Sequence, residues 1–166
     1  CHGCAALDPI TVIVILALSL LCASGLFLAI GRRMEARQGL GLLAAGTGLF
    51  GLAYLVRYAV GLSSNGWFAL LPDTLMLSAA MLFIGGLREQ VGRPAGDWRW
   101  LAGVLAGFVL IHAMAMASSG AWGRHVWLNL ALGTAFAVAA GEALHEVRHG
   151  PRDLRVPLVV LSALMT

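Results

Sequence analysis

Residues 10–30 (ITVIVILALSLLCASGLFLAI) run for 21 positions without a charge and are followed at once by Gly31-Arg32-Arg33. As a helix this run reaches about 31 Å, close to the thickness of a bilayer's hydrocarbon core. A helix buried in a water-soluble domain needs no uncharged stretch of that length, so the chain is expected to cross a membrane. The basic pair behind the run sets direction, because arginines flanking a span are retained on the cytoplasmic side. The amino terminus is therefore expected outside, and every later segment inherits that orientation.

Composition points the same way: 60% of the residues are hydrophobic and 11% charged, with a mean hydropathy of +0.86. These values lie outside the range of ordinary soluble domains. The formal charge of +3 does not indicate a nucleic-acid partner, because all eleven basic residues are Arg and nine of them sit in three short clusters between apolar segments. That is the pattern of cytoplasmic loops rather than of a phosphate-binding stripe, so no nucleic acid is expected as a partner. No cleavable signal peptide is visible, since the first span is too long and lacks a basic n-region. Residue 1 is Cys rather than Met, so further residues are expected upstream.

The fold expected is all-α: a polytopic helical bundle of five complete spans and a truncated sixth over residues 10–166, after an outside tail of residues 1–9. Asp8-Pro9 supplies the cap and first turn of the opening helix. The spans are expected at residues 10–30, 40–62, 66–87, 100–117 and 122–144. The cytoplasmic turns hold Arg32, Arg33 and Arg37, then Arg88, Arg93 and Arg99, then Arg148, Arg152 and Arg155. Trp98 and Trp100 mark one interface, and Trp67, Trp122 and Trp127 the other. Gly41, Gly46, Gly48 and Gly51 in the second span, and Gly103 with Gly107 in the fourth, are small-residue faces that let helices approach closely. Residues 154–166 reach only about 20 Å as a helix, less than a span requires, so a sixth span is expected to be cut short. A seventh would be needed to return the full protein to the cytoplasm.

Three stretches carry a resemblance. Leu7-Asp8-Pro9 opening the first span, Gly31-Arg32-Arg33 behind it, and LFIGGLREQVGRP at residues 82–94 look like the amino-terminal, MASE-like membrane domain of bacterial GGDEF-type diguanylate cyclases. The spacing of the spans and the pair Arg124 and Asn129 at the start of the fifth are also similar. The resemblance implies a sensor or anchor in the inner membrane that sets the activity of a cytoplasmic cyclase, commonly by controlling dimerisation. No GGDEF motif and none of that domain's nucleotide or metal ligands stand in this sequence, so no cyclase residue is carried over. The Cys-His-Gly-Cys tail is not a feature of that family.

Polar residues inside apolar spans carry the remaining signal, because a charge at the bilayer centre costs about 2.5–3.5 kcal/mol on insertion scales. Arg57 near the outer end of the second span and Asp73 near the start of the third are expected at similar depth across a tight hairpin. They form a structural ion pair on the simpler reading, and a ligand or proton site on the sharper one. Pro72 beside Asp73 is expected to loosen that helix.

His112 and His125 face comparable depth across one outer turn. Neutral imidazoles so placed can ligate haem iron or hold copper or zinc, with Met114 and Met116 as nearby soft donors. Cys1, His2 and Cys4 on the same face form a candidate Cu(I) or Zn site. The plainer alternatives are interhelical hydrogen bonds for the histidines, a disulfide or free thiols for Cys1 and Cys4, and a packing role for Cys22. Cys-x-x-Cys-His, the order of covalent haem attachment, is not present.

At the other end of the fifth span Glu142, His145, Glu146 and His149 share one helical face. Di-metal sites of Glu-x-x-His type need matching ligands from facing helices, which no other span offers, so a polar face toward lipid headgroups or a partner domain is expected there. Catalytic motifs are otherwise absent. Two functions remain: a sensory or anchoring input domain, working as a homodimer or larger assembly in the lipid bilayer, or an accessory membrane subunit of an electron-transport or photosynthetic complex.

Overall fold

The computed structural model describes residues 8–33, 39–61, 66–90 and 92–149. It comprises α1 (Pro9–Arg33), α2 (Leu40–Gly61), a 3-10 turn (Gly66–Ala69), α3 (Leu70–Gln90) and α4 (Trp98–His149), with no strand among the described residues. Four helical stretches are long and apolar enough to cross a membrane.

The helix starts follow from short polar side chains. Asp8 caps α1, its Oδ1 accepting from the Ile10 amide at 3.4 Å, and Asp97 caps α4 by accepting from the Arg99 amide at 3.0 Å. Pro72 is the third residue of α3, where a backbone N–H would have no partner within the helix, so the ring is accommodated in the first turn and does not break the helix.

The largest departure from expectation is α4. The residues expected as separate fourth and fifth spans, 100–117 and 122–144, both fall within α4, whose 52 residues are two helices joined at a kink, so the described residues hold four apolar helical stretches and the expected count of five complete spans goes beyond them. The Ser118-Ser119-Gly120 turn leaves helical geometry only at Gly120, with φ 61° and ψ −145°, a conformation open to glycine because it has no Cβ. A straight helix would hold residues 108 and 127 about 28 Å apart. Their rings stack with centroids 6.5 Å apart, so the two arms of α4 lie side by side around the Gly120 kink. Residues 154–166, the expected sixth span, and residues 1–7 of the expected tail lie outside the described residues.

Packing follows chain order. α1 lies on α2, α2 on α3, and α3 against α4. Ser24 Oγ on α1 donates to the Ala44 carbonyl on α2 at 2.7 Å, a bond possible only between closely spaced backbones. Glycines set that spacing: a Cβ at Gly51 would lie 3.0 Å from the Ala17 carbonyl oxygen, and one at Gly46 would lie 2.9 Å from that of Ala79. Among the described residues a Cβ at Gly41, Gly103 or Gly107 would meet nothing within 4 Å, so no described helix uses the expected Gly103/Gly107 contact face. The core joins Leu43 and Ala53 of α2, Met76, Leu77, Ala80, Ile84 and Leu87 of α3, and Phe108, Leu128, Ala135 and Ala139 from both arms of α4. α1 presents Ile15, Leu18 and Leu26 outward, as a helix solvated by hydrocarbon does.

The two ends differ in chemistry. At the arginine-rich end Arg88 Nε pairs with Glu142 Oε2 at 3.6 Å, Arg93 Nη2 donates to His145 Nδ1 at 3.4 Å, and the Gly39 amide donates to Glu89 Oε2 at 3.1 Å. These contacts tie α3 to the second arm of α4 and to the start of α2.

Gly46→Ala would push a methyl into the Ala79 carbonyl and is expected to destabilise the protein by about 1–3 kcal/mol. Gly107→Ala meets open space and is expected to be neutral or to stabilise by up to about 1 kcal/mol. Thermal melting of both variants in neutral detergent checks the contrast.

Candidate functional site

Asp73 stands in the first turn of α3 and is fully buried, at the end of that helix opposite Arg88. The N-terminus of a helix favours a negative charge, and here three cationic or protonatable groups converge on it. His112, in the first arm of α4 and also fully buried, lies with Nε2 3.0 Å from Asp73 Oδ2. Arg124, in the second arm, places Nε 3.3 Å from the same oxygen, and Arg57 of α2 places Nη1 3.7 Å from Oδ1. A carboxylate only accepts, so the imidazole donates through Nε2–H. Four helical segments thus meet on one carboxyl group.

Ring packing fixes the histidine. Phe108, one turn earlier, stacks on His112 with centroids 4.9 Å apart, and Trp127 from the second arm stacks on Phe108 in turn. The Gly120 kink brings these arms together and lets His112 and Arg124, only twelve residues apart, reach one oxygen. Charge is unbalanced: one carboxylate faces two guanidiniums, which leaves one positive charge in excess with a neutral imidazole. Asp73 Oδ1 and His112 Nδ1 are buried with no hydrogen-bond partner among the described residues.

Arg57 and Asp73, expected as a pair, are brought within 3.7 Å. His112 Nε2 is taken by Asp73 while its Nδ1 has no hydrogen-bond partner among the described residues, and His125 is exposed. Met114 is exposed and Met116 half-buried, and Cys22 is an exposed free thiol on α1. Cys1, His2 and Cys4 lie outside the described residues, as do the side chains of Glu146 and His149. No three His, Cys, Asp or Glu side chains among the described residues come together as metal ligands would. Of the second cluster, Glu142 pairs with Arg88 and His145 with Arg93.

Arg124 and the His112–Asp73 bond were not anticipated as parts of one site. A signal was present. Of the eleven arginines only Arg57 and Arg124 lie outside the three clusters, and Asp73 is the one acidic residue inside an expected span near its outer end. Ionisable groups isolated in apolar segments are partners for one another by default.

Comparison with protein-family models, with curated proteins and with solved structures finds no match.

Removing the carboxylate leaves two guanidiniums and an imidazole facing one another. Asp73→Leu is therefore expected to destabilise the bundle by on the order of 3 kcal/mol. Adding Arg124→Met should recover part of that loss, because the residues share one network. A double-mutant cycle by denaturation in bicelles checks it: strictly additive losses would show the contacts to be energetically independent.

Proposed function

We propose that this chain is a membrane-embedded sensory and anchoring input unit of a bacterial signalling protein, seated in the inner membrane as a homodimer or larger assembly and governing a cytoplasmic diguanylate cyclase. Its amino terminus lies outside, and the two arms of α4 cross separately, as the fourth and fifth spans, with the three arginine clusters on the cytoplasmic side. The resemblance of residues 7–9, 31–33 and 82–94 to the input domains of GGDEF-type cyclases supports the class of output. The one-sided arginines support the orientation.

The observation that carries the reading is the ionic cluster on Asp73. Ionisable groups inside a bilayer are expensive, and those that persist there mark functional sites by default. The cluster joins α2, α3 and both arms of α4 near the outer end. At the other end of α3, about 22 Å away by helical rise, Arg88 and Glu89 hold Glu142 and the Gly39 amide. A shift of α3 at Asp73 therefore disturbs contacts at the cytoplasmic end, where an output domain would be attached. A ligand or proton that prefers one arrangement of the cluster would bias that shift.

In cells producing the complete gene product, Asp73→Asn and His112→Gln are expected to change cyclic di-GMP by roughly fivefold or more, the low end of common coupling energies, while Gly107→Ala leaves it unchanged. Unaltered nucleotide levels in correctly inserted Asp73→Asn protein would contradict the reading. For the topology, native cysteines are replaced by serine and single cysteines are introduced. Those replacing Arg33 and Arg93 should be shielded from an impermeant maleimide in intact cells, and one replacing Ser119 should be labelled.

A further inference from the structure

Beside the Asp73 cluster, α1 and α2 enclose a cleft of about 390 Å³ lined by Ile13, Tyr54, Arg57, Tyr58 and Gly61. Arg57 is common to both. Its side chain is 34% exposed, whereas Asp73 behind it is fully buried, so one side of the guanidinium is turned to the carboxylate and the rest to the cleft. Its inward contacts are long: 3.7 Å to Asp73 Oδ1 and 3.7 Å to Met76 Sδ. A guanidinium carries five N–H donors in a fixed fork, and two long contacts through Nη1 leave most of them unengaged.

From these observations we infer that the cleft binds an amphiphilic monoanion, with its oxyanion head on Arg57 and its apolar tail along Ile13, Tyr54 and Tyr58. The inference deepens the input-unit reading, on which it rests only for its biological meaning. Charge is the first reason. Arg57, Arg124 and Asp73 together carry one positive charge in excess, and one bound anion brings the site to neutrality in a medium where uncompensated charge is costly. Fit is the second, since the guanidinium fork matches a carboxylate or phosphate in bidentate fashion, and two phenol rings with an isoleucine match hydrocarbon. Placement is the third: Arg57 lies about 6 Å by helical rise from the end of α2, a depth at which a headgroup oxyanion can reach it while its tail stays in the apolar layer. The shared chemistry has two sources, the phosphate of an anionic phospholipid and the carboxylate of a diffusible acid.

Native mass spectrometry of the full chain in neutral-detergent micelles tests this with four probes: decanoate, decanol, phosphatidylglycerol and phosphatidylcholine. One anionic probe per chain is expected, bound about tenfold or more tightly than its uncharged or zwitterionic counterpart, with the preference lost in Arg57→Gln, weakened in Arg57→Lys and kept in Arg88→Gln. An Arg57-dependent adduct with phosphatidylglycerol alone assigns the site to a lipid headgroup, and one with decanoate assigns it to a diffusible acid. Should Arg57→Gln fail to fold, Gly61→Leu fills the cleft from its open end without altering a charge and must weaken binding by a similar factor. Decanol binding as well as decanoate together with phosphatidylcholine matching phosphatidylglycerol, or wild-type binding by folded Arg57→Gln, would overturn the proposal. Because binding is read directly, an anion that binds without changing cyclic di-GMP removes the signalling role and leaves the site, whereas a signalling response to Asp73→Asn without anion binding does the reverse.

Discussion

A fully buried carboxylate must be matched by donors or it will not stay ionised among apolar helices, and Asp73 imposes that condition on the whole bundle. Meeting it takes His112, Arg124 and Arg57, which come from three different helical segments. Their convergence fixes how α2, α3 and the two arms of α4 sit against one another. Hydrophobic contact alone would not specify this, because in hydrocarbon an apolar face gains little by preferring another helix to lipid. Polar contacts and close backbone approach must then choose the partners.

Close approach is the second device. Gly46 and Gly51 put α2 directly against the carbonyls of Ala79 and Ala17, so α2 is gripped from both sides while α1 remains largely open to its surroundings. Gly120 does something different: its positive φ kinks α4 and gives the Asp73 carboxylate two partners from one helix. The arginine-rich end is tied by weaker, more exposed contacts, Arg88 with Glu142 and Arg93 with His145. Exposed pairs of this kind contribute about 0–1 kcal/mol each, so close backbone approach carries more of the packing there, where a Cβ at Gly86 would lie 2.9 Å from the Gly39 carbonyl oxygen.

Helix class and helix positions were legible in the sequence because uncharged runs of span length leave few alternatives, and Asp8 and Gly31-Arg32-Arg33 bound the first run well. The fourth and fifth runs were expected on either side of a Ser118-Ser119-Gly120 loop, and the structure turns there through a single glycine dihedral instead of a longer loop. The proximity of Arg57 and Asp73 was visible from a short hairpin. The bond from His112 to Asp73 was not, since 39 residues separate them and helical periodicity says nothing about which face of α4 meets α3. Reading His112 together with His125 followed depth alone. Depth does not fix rotation about the helix axis; the structure buries His112 and exposes His125, with the two near enough for their charges to act on one another. Arg124 was legible only by subtraction, as one of two arginines that no basic cluster claims.

The bundle rests on Asp73 gathering His112 and Arg124 in its interior. Solid-state NMR of the protein in lipid bilayers, with 13C-aspartate and 15N-histidine and 15N-arginine labels, measures it directly. The expected result is a deprotonated Asp73 carboxyl carbon with dipolar couplings to His112 Nε2 and to the Arg124 guanidinium that vanish together in Asp73→Asn. A protonated Asp73, or a carboxylate coupled to neither side chain, would contradict it.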